Sequence, residues 1–152
     1  MVKKSISAIA AATVIALLAG CSIDADGVAR ELETAMTSIE GVDGALTGLA
    51  YSGTERTAVL KLYVPGATAT TVDDIVDEAL EQAWRLMPSE PVTISVEVVA
   101  AERADDAAMT DRDGIDLSGV GGRLGFSDPI EGDVLFVIAH DLEVRYGPWV
   151  AP

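Results

Sequence analysis

Apolar residues recur along this chain with two periods, and the changes between those periods mark its elements. From Ile6 to Ala19 runs an uncharged, mostly apolar stretch of 14 residues, in which only Ser7 and Thr13 are polar. Val28, Leu32, Ala35, Met36 and Ile39 then return at helical spacing, with Asp24 or Asp26 placed to cap the start and Gly41 to stop the helix. Two strands are expected next, Gly44 to Tyr51 and Thr57 to Val64, joined by a hairpin turn at Ser52-Gly53-Thr54-Glu55. In the second strand Ala58, Leu60, Leu62 and Val64 share one face, and Lys61 and Tyr63 take the other. The clearest helical stripe follows in Val72, Ile75, Val76, Ala79, Leu80, Ala83, Leu86 and Met87, with Trp84 at its edge. Thr70 and Thr71 stand near capping-box register with Asp73 and Asp74, and Pro88 closes the segment. Val92, Ile94, Val96 and Val98 alternate with Thr93, Ser95 and Glu97, which predicts a half-buried strand.

Beyond residue 100 the periodicity weakens. Glu102 to Asp113 is charge-rich and suits a short helix or an exposed loop. Ser118 to Gly125 carries four glycines, the composition of a mobile or tightly turning segment. Val134 to Ile138 is a continuous apolar run, as in a strand covered on both faces, and Leu142 to Tyr146 extends it or pairs back on it. Pro148 and Pro152 mark an irregular tail. The expected fold is a single α+β domain over residues 28–152, with a loop-rich insertion at 101–132. Its architecture is a two-layer sandwich of about four antiparallel or mixed strands with two helices packed on one face, in the order αββαβ plus a late C-terminal strand.

Charge narrows the functions. The chain has 10 basic and 25 acidic residues, and only 8 of the basic ones lie beyond residue 20. Such a domain is repelled by phosphate backbones and by anionic lipid head groups, so no nucleic-acid partner is expected.

Cys21 is the only cysteine, and it follows the apolar run directly. Lys3 and Lys4 precede that run, which is shorter than the roughly 20 residues a helix needs to span a bilayer. Together with Leu18-Ala19-Gly20-Cys21 this leader resembles the signal peptide and lipobox of bacterial lipoproteins. The resemblance implies a signal peptide at 1–20, cleavage between Gly20 and Cys21, a covalent diacylglyceryl group on Cys21 and a short tether at 21–27. It also implies attachment to the extracytoplasmic face of the cell membrane through that lipid, with an envelope protein as a possible partner. The junction Ile39-Glu40-Gly41-Val42 and the order αββαβ over residues 26–100 are similar to BON-type and ferredoxin-like small domains. BON domains bind phospholipid or periplasmic partners, and the resemblance implies a role of that kind. The Cys-x-x-Cys loop of heavy-metal-binding ferredoxin-like domains is missing here.

The remaining candidates for chemistry have bland counterparts. His140 beside Asp141 has the makings of a base, but no Gly-x-Ser-x-Gly turn accompanies it. Asp111-x-Asp113-Gly114-x-Asp116 fails the register of a calcium loop. Ser22-x-Asp24-x-Asp26-Gly27 with Glu33 fits it better but has no room for an entering helix. Gly119-x-Gly121-Gly122-x-x-Gly125 lacks the strand, helix and Lys-Ser/Thr of a phosphate cradle. Tyr146 and Trp149, with Pro148, either dock a partner or fold back on the domain. No catalytic residue, metal ligand set or further cofactor is expected. The sequence reads as a non-catalytic, lipid-anchored binding or interaction module, with a cation- or small-solute-binding lipoprotein second and an envelope hydrolase a distant third.

Overall fold

In the computed structural model, which describes residues 24–152, a four-stranded mixed sheet is covered on one face by helices. The elements in chain order are α1 (Ala25–Thr37), β1 (Gly44–Ser52), β2 (Glu55–Tyr63), α2 (Asp73–Leu86), β3 (Thr93–Val99), α3 (Val120–Leu124), β4 (Val134–Ile138) and α4 (Ala139–Tyr146). The strands lie side by side in the order β1-β2-β3-β4. β1 and β2 form an antiparallel hairpin, β2 and β3 are parallel with α2 as their crossover, and β3 and β4 are antiparallel. The α+β class, the hairpin and the αββαβ order match the expectation.

Strand alternation sets the core. Ala58, Leu60 and Leu62 pair in register with Ile94, Val96 and Val98, and Leu135 and Val137 continue the same face on β4. All are buried, together with Leu32 and Met36 of α1 and Val76, Ala79, Leu80 and Ala83 of α2. One contiguous cluster therefore joins both amphipathic helices to the sheet. Asp24 caps α1 by accepting from the Gly27 amide at 3.0 Å. α1 ends at Thr37, and Gly41 closes the turn that follows it, at φ +91°.

Four features depart from the sequence pattern. Thr71 does not cap α2. Its hydroxyl closes a local turn with Thr68, and Val72 stands at the cap position with no side-chain bond. Asp73 of the first turn is instead held by both Arg123 nitrogens, at 2.7 and 2.8 Å. Residues 142–146 are helix and not strand, because Ala139, Leu142 and Tyr146 repeat at helical spacing toward the core while Val144 faces solvent. β4 is covered on one face only, since Phe136 and Ile138 are exposed. The glycine-rich stretch is α3, whose Val120 and Leu124 join the core beside Leu117 and Phe126.

α3 also packs closely against the following loop. A Cβ on Gly121 would lie 2.7 Å from Pro129 Cβ and 2.8 Å from Glu131 Oε1, whereas one on Gly122 meets nothing within 4 Å. Gly121→Ala should therefore destabilise the domain by about 1–3 kcal/mol, and Gly122→Ala should be neutral or stabilising by up to about 1 kcal/mol. Denaturant melts of the two variants check this, and equal effects would remove the packing argument.

Candidate functional site

The lipobox residues Gly20 and Cys21 lie outside the described residues. Among the described residues, no helix is long and apolar enough to cross a membrane.

Lys61 is the residue whose place the sequence pattern does not predict. It sits near the C-terminal end of β2 on the face away from the helices, and that end of the face is not solvated. Residues 101–114 fold across it, and the Ile115 amide donates to Val98 O at 2.8 Å to fasten the loop's end beside β3. Gly114 passes so near Glu97 that a Cβ there would stand 2.7 Å from Glu97 Cγ. Lys61 is 0% exposed, and its ammonium meets Asp113 Oδ1 at 2.5 Å, the Asp111 carbonyl at 2.8 Å and Glu97 Oε1 at 3.4 Å. Burial pulls its pKa down, but the hydrogen bond to Asp113 and the charges of Glu97 and Asp113 outweigh it, and the pKa ends above the ordinary lysine value. The centre of the calcium-like loop is thus filled by the chain's own cation. Tyr63, two residues on, is buried on the same face, and its hydroxyl has no partner among the described residues. Burial pushes its pKa up.

The glycine-rich loop is satisfied in the same way with the charges reversed. Glu131 accepts from the Gly119 amide at 2.6 Å and the Gly122 amide at 3.2 Å, so a carboxylate of the domain holds the amides that a phosphate would take. The other calcium candidate is divided. Asp24 caps α1, while Glu33 pairs with Arg103 at 2.5 Å. No group of three or more potential metal ligands converges among the described residues.

Asp141 is buried and accepts from Ser127 Oγ at 2.5 Å and from the Ser127 and Asp128 amides at 3.0 and 3.1 Å. Burial would raise its pKa, but these donors and the charge of His140 hold it below the ordinary carboxylate value. Lowering its pKa makes the carboxylate a weaker base, and no imidazole stands between it and the Ser127 hydroxyl. Chemically the pair ties the 127–128 loop to α4, with His140 exposed beside it.

The C-terminal tail folds back on α2. Asp77 receives Arg145 through two nitrogens, at 2.6 and 2.7 Å, and the Tyr146 hydroxyl at 2.6 Å. The bond from Arg145 holds the Asp77 carboxyl below its usual range. Burial and the facing Asp77 push the Tyr146 phenol up. Trp84 Nε1 donates to Gly147 O at 3.0 Å and Trp149 Nε1 to Met87 O at 3.2 Å. The polar groups of Tyr146 and Trp149 are therefore used within the domain, and only their partly exposed ring surfaces remain to meet a partner.

A mostly apolar concave surface lies on the second sheet face, where the 101–114 loop meets the more open half of the sheet. Val59, Val134, Phe136 and Met109 line a groove of about 370 Å³, together with the polar side chains of Ser95, Glu97 and Arg112. Neither Lys61 nor this groove is readable from alternation alone. The available signal is that Lys61 is the only lysine after Lys4 and stands among apolar neighbours in the second half of its strand.

Replacing Lys61 with methionine strands Glu97 and Asp113 beside apolar surface, although Asp113, 47% exposed, can recruit water. Lys61→Met should cost about 2 kcal/mol at neutral pH. Because the folded-state pKa is raised, the stabilisation is complete below the unfolded value of about 10.4 and is lost as pH rises through the folded one. The gap between wild type and variant in denaturant melts should therefore close above about pH 10.5. A gap unchanged at high pH would show that the ammonium is not its source. No protein-family model, curated protein or solved structure matches this chain, so these readings rest on its own geometry.

Proposed function

We propose that the protein is a lipid-anchored binding or interaction module on the extracytoplasmic face of a bacterial cell membrane, acting without catalysis. The observation that carries this reading is the sequence of Lys3-Lys4, the 14-residue apolar run and Leu18-Ala19-Gly20-Cys21. Two acyl chains on Cys21 would hold the domain stably, since each buried methylene contributes about 0.8 kcal/mol. The binding role draws support from the side chains that carried chemical promise. The Asp111 carboxylate accepts from the Ala108 amide, Asp113 from Lys61 and Asp141 from Ser127, all within the same chain.

A second reading, a small-solute-binding lipoprotein, is favoured by the groove that Phe136 and Arg112 line. Its volume lies within the roughly 300–1,000 Å³ of ligand pockets. It is also apolar-walled with a few polar groups, as such pockets are.

Intact-mass spectrometry of the protein from its native host should show residues 1–20 removed and a diacylglyceryl mass on Cys21, and Cys21→Ala should keep its leader. An unmodified Cys21 would overturn the anchor. Deleting residues 147–152 should weaken recovery of an envelope partner if the tail contributes to docking. A solute that raises the melting temperature, with the rise abolished by Phe136→Ala, would instead favour the groove.

A further inference from the structure

The helix that leads back to Cys21 begins at one particular end of the sheet. Thr47 Oγ1 donates to Ala29 O at 2.5 Å, and Arg103 bridges Glu33 to Ala45 O, so α1 runs antiparallel to β1. Its first turn is therefore level with the β1–β2 hairpin. β3 starts at this end, where the Val92 amide donates to Arg56 O, and β4 finishes there with Ile138 paired to Thr93. Three large apolar side chains are left exposed at this end: Tyr51 (49%), Val92 (42%) and Ile138 (39%). Phe136, also exposed, lies one row behind them on the open face of the sheet.

We propose that this hairpin end is the face the domain presents to the lipid surface, with Tyr51, Val92 and Ile138 seated among the head groups. The proposal rests on the lipid anchor at Cys21 described above. Only three residue steps separate Cys21 from Asp24, about 11 Å of fully extended chain. A domain of this size has a radius of gyration of roughly 14 Å, so so short a tether cannot bring its opposite end to the membrane. Tyrosine suits the position, because its ring takes the apolar side of the interface and its hydroxyl the wet side. Charge limits the depth. Glu55 and Glu90 lie at the same end, and Asp24 caps α1 with Asp26 in its first turn, so anionic head groups oppose the contact and uncharged ones permit it.

The test uses the full chain, processed and lipidated in a bacterial host, with single cysteines added. Tyr51→Cys, Val92→Cys and Ile138→Cys report on the hairpin end, and Ala100→Cys and Asp105→Cys on the far end. Each is labelled with a small fluorophore and reconstituted into phosphatidylcholine vesicles that carry brominated acyl chains. At positions 51, 92 and 138 the emission should be lost to the bromines and protected from aqueous acrylamide. At positions 100 and 105 acrylamide should quench and the bromines should not. Equal access of acrylamide to both ends of the lipidated protein overturns the orientation and leaves the anchor standing. Protection from acrylamide without bromine quenching means that protein, such as a second copy of the chain, covers this end, and it overturns the orientation as well. A missing diacylglyceryl mass on Cys21 overturns the anchor and the orientation together, and mass spectrometry reads this before any vesicle is made.

Discussion

An ammonium with no exposed surface holds the loop that follows β3 onto the sheet. Removing a lysine head group from water costs several kcal/mol unless charge and hydrogen bonds replace the water. Around Lys61 both are supplied by distant sequence, the Glu97 carboxylate from β3 and the Asp113 carboxylate and Asp111 carbonyl from the loop beyond it. That requirement fixes where the loop can lie. An acid-rich loop on an acid-rich domain would otherwise be repelled from its surface, and here it closes over one end of the sheet because a cation waits beneath it. Gly114 permits the approach, since any side chain there would meet Glu97.

The same economy runs through the molecule. Three arginines join segments far apart in sequence: Arg103 to Glu33, Arg123 to Asp73 and Arg145 to Asp77. Exposed pairs of this kind contribute little singly. The two that meet a carboxylate through two nitrogens also fix direction, and both act on α2. Arg123 brings α3 to the start of that helix, and Arg145 with Tyr146 brings α4 to its second turn. Glu131 does the converse for the α3 amides. Motifs that resemble ion-binding loops in one dimension are thus neutralised within the fold, and the surplus of carboxylates is left to solvent.

This explains which parts of the fold were legible in the sequence. α1, β1, β2, α2 and β3 could be read because each buries one face, and burial of one face writes a period of 3.6 or 2 into the sequence. The later half could not. α4 follows β4 without a break, so the apolar run Val134–Ile138 hides the change of period at Ala139. The two-faced reading of β4 failed because Phe136 and Ile138 are apolar without being covered. Lys61 was placed on a polar face because its neighbours alternate. What covers it comes from 50 residues away, and no local pattern reports contacts of that separation. Asp141 was visible as a carboxylate beside His140, but its partners Ser127 and Asp128 were not.

Topology then decides how the surface is divided. Because β2 and β3 are parallel, α2 must return the chain to the level at which β2 began. The β1–β2 turn, the entry to β3 and the exit from β4 therefore gather at one end of the sheet. The 34 residues between β3 and β4 leave from the other end. Only that far end can be covered cheaply by the acidic loop, since Lys61 and Tyr63 lie toward it. Ala50, Val59 and Phe136, nearer the hairpin, share a groove with Met109 and Arg112 of the loop, and Ile138 stays exposed. A domain built this way has one end closed by its own counter-ion and a partly apolar end, edged by carboxylates, left open. The difference follows from one parallel pairing and one lysine.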